Sequence, residues 1–184
     1  MPFGEFMPLG SIFPVLKSFS PQTGDFQAGA AVNPLDVPGV ARFAPLNCYE
    51  DLRAAIARRA VHDGRAQILF AVANDGWFGD TMAPVQHEAL ALWRAIENRR
   101  FLVRVTNTGV TDVIDPAGRV LLRLPVFQPA SAVVHVAPLD VASPYSRFGD
   151  WFGWLVTAAA LWALWSSAGS RDRSARPSLL ELRA

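Results

Sequence analysis

Apolar positions along the chain gather into short runs separated by polar or breaker residues, and the spacing within each run indicates its element. The first forty residues are interrupted by Pro2, Pro8, Pro14, Pro21, Pro34 and Pro38 and by glycines at 4, 10, 24, 29 and 39. Such punctuation predicts loops and short strands. Val40 to Tyr49 is a largely apolar run bounded by Gly39 and the pair Glu50-Asp51, as expected of a buried strand. Residues 50–61 place Leu52, Ile56 and Ala60 four apart, with acids in the first turn where the helix dipole favours them; this predicts a helix closed by His62-Asp63-Gly64. Gln67 to Ala73 reads as a strand covered on both faces, followed by the loop from Asn74 to Asp80. Pro84 can open a second helix whose stripe Val85, Ala89, Leu92 and Ile96 would face the core. Beyond it, Phe101–Thr106 and Val110–Ile114 read as strands around Asn107-Thr108-Gly109. The turn Asp115-Pro116-Ala117-Gly118 leads to a strand at 119–124, and a last strand is expected over 131–137. No internal repeat is visible. Strands alternating with helices, then a strand-rich part, predict a layered α/β domain.

Trp151 to Gly169 is nineteen residues without a charge. As a helix it would measure about 28 Å, close to the roughly 30 Å hydrocarbon core of a bilayer. Its four tryptophans suit an interfacial belt, so the segment is expected to be a transmembrane helix; the alternative is an apolar helix packed on the core or on a partner. Arg171, Arg173 and Arg176 follow the span, whereas Arg147 is the only base just before it. The excess of arginine after the span predicts a cytoplasmic C-terminus and an α/β domain on the outer side. The expected organisation is a domain over 1–140, a linker over 141–150, the membrane helix over 151–169 and a basic tail over 170–184.

Composition narrows the functional classes. The 184 residues are 51% hydrophobic and 18% charged with a net charge of +1. That supports a core, excludes a disordered chain and gives no basic field for nucleic acid. A single cysteine forms no internal disulfide, and His62, His87 and His135 have no metal-ligand spacing with it, so neither a metal nor a cofactor is expected. The start, Met1-Pro2-Phe3-Gly4-Glu5, has no basic or apolar region of a signal peptide. Lys17 is the only lysine.

Cys48 ends an apolar strand and stands directly before the expected helix, a place where a thiol can be held as thiolate and exposed at a sheet edge. A lone cysteine in an apolar run is also commonly a small buried hydrophobe, and periodicity does not decide between the two.

Longer motifs carry more information. Asn47-Cys48-Tyr49-Glu50, Asn74-Asp75-Gly76-Trp77-Phe78-Gly79, Arg94-Ala95-Ile96-Glu97-Asn98-Arg99-Arg100, and Thr106-Asn107-Thr108-Gly109 followed by Val113-Ile114-Asp115-Pro116 resemble the nitrilase superfamily in order and spacing. Within it, Pro2-Phe3-Gly4-Glu5 with Pro8, Tyr145-Ser146-Arg147-Phe148-Gly149-Asp150-Trp151 and the terminal apolar segment resemble the apolipoprotein N-acyltransferases. The resemblance spans residues 2 to about 165.

It implies part of an α-β-β-α sandwich followed by one transmembrane helix, and a Glu-Lys-Cys triad. In that chemistry the cysteine takes an acyl chain from a membrane phospholipid as a thioester and passes it to the α-amino group of the diacylglyceryl cysteine that begins a lipoprotein. The enzyme would be a monomer in a bacterial inner membrane with its catalytic part periplasmic. By position, Cys48 would be the nucleophile, Glu5 an accessory glutamate, and Tyr49 and Glu50 the neighbours that shape its pocket. Glu5 could equally be a solvated loop acid, and Glu50 a first-turn acid stabilised by the dipole. Trp77 and Phe78 would line an acyl-chain or headgroup path, or fold onto the core as a loop anchor. The family's general-base glutamate and lysine would both precede Met1, and Lys17 matches neither. The chain is therefore expected to be the C-terminal part of such an enzyme, inactive alone. A soluble nitrilase-type amidase and a non-catalytic membrane-anchored remnant are the competing readings.

Overall fold

The computed structural model describes residues 7–19, 26 and 29–174, with side chains to residue 167. It divides into two units, Met1–Arg147 and Phe148–Ala184.

The first unit is built on one six-stranded sheet: β1 (Leu35–Val37), β2 (Ala41–Asn47), β3 (Ile68–Ala73), β4 (Phe101–Thr106), β5 (Asp112–Ile114) and β6 (Val120–Arg123), hydrogen-bonded in that order. β2, β3 and β4 run parallel, in the registers Leu46↔Ala71 and Ala71↔Arg104, and the other pairs are antiparallel. Parallel neighbours need crossovers, supplied by α1 (Ala54–His62) between β2 and β3 and α2 (Ala83–Asn98) between β3 and β4. Small residues on these helices, Ala57, Ala60, Ala91 and Ala95, let them approach the sheet and bury Ala44, Leu46, Leu69, Leu102 and Ile114.

The opposite sheet face is less covered. Val72 is 46% and Val105 40% exposed, so Gln67–Ala73, expected to be buried on both faces, is covered on the second face at Ile68 but not at Val72.

Three further expectations change. The helix predicted over 50–61 begins at Ala54, because Cys48–Glu50 forms a separate 3-10 turn in which the Glu50 carboxylate accepts the Asn47 N–H. Residues 131–137 form no strand: they enter no sheet ladder, and the following Leu139 N–H donates to the Gln67 carbonyl. The inward face of α2 is only partly the expected stripe: Leu92 packs half-buried against the core and Ile96 is half-buried, whereas Val85 and Ala89 are exposed, and Pro84, His87, Glu88, Ala91, Arg94, Ala95 and Asn98 are buried.

The reason for the last difference is a closed ring of charges beneath the helix. His87 Nε2 lies 2.8 Å from Asp51 Oδ1 and His87 Nδ1 lies 3.0 Å from Asp75 Oδ1. Arg104 Nε and Nη2 reach the second oxygens of the same carboxylates, at 3.3 Å from Asp51 and 3.1 Å from Asp75, and Nη1 donates to the Val110 carbonyl at 2.6 Å. Arg104, Asp51 and Asp75 are all 0% exposed. With an acceptor at each ring nitrogen, the fully paired state is an imidazolium, making two cations against two anions. Burial works against that charge, but the hydrogen bond and negative charge of Asp51, aided by Asp75 and opposed by Arg104, hold the His87 pKa above its ordinary 6.5.

A second buried cluster adjoins the first through the Arg104↔Asp112 register. Arg123 Nη2 lies 2.8 Å from Glu88 Oε1 and 3.4 Å from Asp112 Oδ2. Burial, and then the adjacent Glu88 carboxylate, push the Asp112 pKa up to about 7.

The second unit contains α4 (Trp151–Ser174), whose residues 151–167 are exposed. Among the described residues no helix is long and apolar enough to cross a membrane. α4 is longer than the expected 151–169 span. Thr157, Ser166 and Ser167 each donate their hydroxyl to a carbonyl of their own helix.

Two predictions follow from the buried charges. Replacing His87 with Ala leaves two desolvated carboxylates sharing one arginine and is expected to destabilise the fold by about 3–5 kcal/mol, read as a lower urea midpoint. For pH, the folded state holds protons at His87 and Asp112 that the unfolded state has released, so stability falls as pH rises. The His87 contribution is full below about 6.5 and lost above its raised folded value; the Asp112 penalty grows between 3.8 and about 7. Urea midpoints measured from pH 5 to 8 are expected to decline, and Asp112→Asn to flatten the slope.

Candidate active site

The three parallel strands deliver three loops to one sheet edge, where ligands commonly bind in open α/β sheets. β2 ends at Asn47, and the next residue, Cys48, takes φ +49°, a left-handed conformation that side chains other than glycine adopt at a cost. The turn is held by the Asn47 N–H to Glu50 Oε2 bond at 2.8 Å and by the Asp51 N–H to the Cys48 carbonyl at 3.2 Å. Cys48 is a free, half-buried thiol. Because α1 starts only at Ala54, the helix dipole is not adjacent to the sulfur, contrary to the sequence expectation.

β3 leads into the turn Asp75–Phe78. Asn74 Oδ1 accepts from the Gly76 N–H at 3.1 Å and from Asn107 Nδ2 at 2.6 Å, while Asn107 Oδ1 accepts the Asp75 and Thr108 N–H groups. The loop after β4 is thus latched to the loop after β3. Gly109 closes over Asp75 so tightly that a Cβ there would lie 2.7 Å from the Asp75 Cβ. Only glycine allows that approach.

The sequence-predicted site residues within the described part separate into three groups. Tyr49 and Phe78 come together: Tyr49 stacks on His87 with ring centroids 5.5 Å apart and planes at 23°, and Phe78 meets Tyr49 and His87 edge-on at 6.5 and 6.3 Å. Cys48 and Glu50 share the adjoining turn, with the Glu50 carboxylate occupied by backbone. Trp77 is 84% exposed and takes no part in the aromatic cluster. Glu5 lies outside the described residues.

Sequence reasoning missed His87, Asp51, Asp75 and Arg104. The available signal was Arg104 itself, a charge in the middle of the apolar strand Phe101-Leu102-Val103-Arg104-Val105-Thr106; a buried guanidinium requires carboxylates nearby. Chemically, the edge offers a partly accessible sulfur on a constrained turn beside an aromatic platform whose underside is the His87 imidazole.

The profile of the Carbon-nitrogen hydrolase family matches residues 5–143. The apolipoprotein N-acyltransferase of Geobacter metallireducens is 38% identical over 160 residues, 87% of this chain and 30% of its own length. That of Azotobacter vinelandii is 36% identical over 179 residues, 96% of this chain and 34% of its own length. Among solved structures, a carbon-nitrogen hydrolase from Helicobacter pylori superposes with a TM-score of 0.48 at 14% identity, covering 57% of this chain and 43% of that one. The chain spans about a third of the length of the curated relatives it matches. Through the match over residues 5–143, the chain belongs to the carbon-nitrogen hydrolase family.

Proposed function

We propose that the chain carries the nucleophile of an apolipoprotein N-acyltransferase reaction. The observation that carries this reading is the position of Cys48, at positive φ beyond the carboxyl end of a parallel strand, within a chain at least 36% identical to two proteins of that name. In the first half-reaction the thiolate attacks the ester carbonyl of a phospholipid; the C–O bond breaks, the lysophospholipid leaves with a proton, and the acyl chain remains as a thioester. In the second, the α-amino group of a diacylglyceryl cysteine attacks the thioester. The C–S bond breaks, an amide forms, and the sulfur recovers its hydrogen.

Tyr49 and Phe78 offer the apolar wall against which an acyl chain would lie, and exposed Trp77 extends it outward. Glu50 acts as a positioning residue, since its carboxylate is held by the Asn47 N–H. Glu5 is the accessory carboxylate that the family resemblance implies. The resemblance also calls for a general-base glutamate and a lysine, which would manage the proton and stabilise the oxyanion. Losing one oxyanion donor alone costs on the order of 100–1000-fold.

The same reading places the enzyme in a bacterial inner membrane, with the first unit periplasmic, the C-terminus cytoplasmic, α4 as the anchor and the complete enzyme a monomer. Its own-helix hydroxyl bonds support this, because they leave no side-chain donor of Thr157, Ser166 or Ser167 unpaired in an apolar medium.

Incubation with an alkyne-tagged phospholipid, in vesicles containing the complete enzyme, is expected to label Cys48 with an acyl group that neutral hydroxylamine removes. Cys48→Ala loses the label; N-acylation of a diacylglyceryl peptide by the Cys48→Ala enzyme would refute the assignment. In a strain lacking lipoprotein N-acylation, the complete enzyme is expected to restore growth and its Cys48→Ala variant not to; rescue by the variant would refute the role of the sulfur.

A further inference from the structure

At the other edge of the sheet, where β2, β3 and β4 begin, the first unit contains a cavity of about 530 Å³. β2 is seven residues long, which puts this edge roughly 20 Å from Cys48. Arg42, Arg65, Arg100 and Arg147 line the cavity, with His62 and a single carboxylate, Asp140.

These groups reach it from separate elements: Arg42 from β2, Arg65 from the α1–β3 connection at φ +56°, Arg100 from the residue before β4, and Arg147 from α3 (Pro144–Phe148). Arg100 is buried and fixed, with Nε donating to the Ala66 carbonyl and Nη1 to those of Asn98, Arg99 and Val141. The backbone of Arg147 is held in turn by Arg58, which donates to the Tyr145 and Arg147 carbonyls at 3.1 and 2.9 Å.

Among the described residues, the guanidinium groups of Arg42, Arg65 and Arg147 make no hydrogen bond or ion pair. Asp140 is already engaged by Gln67 Nε2 at 3.0 Å, and His62 Nδ1 lies 2.8 Å from Asp63. The result is a concave wall with a surplus of positive charge, one rigid guanidinium and three unengaged ones. Like charges gather in a concavity at a cost that a bound anion offsets, and guanidinium forks match tetrahedral oxyanions. A monocarboxylate has too few oxygens to engage several forks arriving from different directions, whereas a phosphate has enough.

We propose that this cavity binds a phosphate group, as inorganic phosphate or as the phosphodiester of an anionic lipid headgroup. The site is independent of the acyl-transfer reading, since neither Cys48 nor the sheet edge it occupies contributes to it. The headgroup is a natural source because Arg147 precedes the apolar helix α4 by four positions.

The test is calorimetric titration of the full chain in maltoside micelles with inorganic phosphate and, separately, with dihexanoyl phosphatidylglycerol below its micellar concentration. The expected result is saturable binding that weakens with added salt and falls about tenfold or more in Arg65→Glu/Arg147→Glu. Arg65→Lys/Arg147→Lys is expected to keep most of it, and both variants to retain the parental circular dichroism. Tighter binding of the lipid than of phosphate, lost in the Glu variant, identifies the headgroup as ligand; variant-sensitive binding of phosphate alone identifies the free ion. Absence of saturable binding by either probe, or equal binding in a folded Glu variant, overturns the proposal.

Discussion

The ring formed by Asp51, His87, Asp75 and Arg104 ties together every element that reaches the candidate active-site edge. Asp51 belongs to the connection that follows Cys48, Asp75 to the loop after β3, His87 to α2 and Arg104 to β4. Each carboxylate uses one oxygen for imidazole and the other for guanidinium. No member can move without leaving a partner charged and desolvated, and breaking such a buried pair costs about 3–5 kcal/mol. The geometry of the Cys48 turn is therefore fixed from below. Its positive φ carries strain of order 1–3 kcal/mol, and the ring offsets that strain through Asp51, whose N–H holds the Cys48 carbonyl.

The ring also explains which parts of the fold the sequence made legible. The strand over Phe101–Thr106 is where the apolar pattern places it, and β3 differs by one residue, because in both the alternation and the loop residues agree. α2 forms where predicted, but its buried face is turned from the expected stripe, keeping Leu92 against the core and leaving Val85 and Ala89 outside. Two stripes run along it at helical spacing, one apolar and one polar, and periodicity assigns the apolar stripe to the core by default. Here the core beneath α2 is partly ionic, so His87, Glu88 and Arg94 turn inward. The boundary of α1 was misjudged for a related reason: Glu50 and Asp51 look like first-turn acids of a helix, yet one closes the Cys48 turn and the other enters the ring. Residues 131–137 carry valines as a strand would, yet they enter no ladder although β1 and β6 are edge strands, because an apolar pattern does not by itself specify a pairing register.

Of the residues that the sequence motifs single out, the fold brings Cys48, Tyr49 and Phe78 to one edge and leaves Trp77 outside their cluster. Phe78 turns toward Tyr49 and His87, while Trp77, its neighbour in the same 3-10 turn, faces outward. Adjacent positions on a tight turn point to different sides, so a pair of aromatics in a loop seldom shares one role.

The same physics bears on how the sulfur could be made reactive. The described surroundings of Cys48 supply no helix dipole, and the charges of the ring sum to zero beneath Tyr49. Stacking an aromatic ring on His87 attracts it through the imidazolium's charge, which orders Tyr49 rather than activating the thiol. Under the acyl-transfer reading, proton transfer and stabilisation of an oxyanion would fall to groups other than the ring, as the Glu-Lys-Cys resemblance implies. The buried network holds the platform and the Cys48 turn in place, and under the acyl-transfer reading the cysteine would present the reacting atom from it.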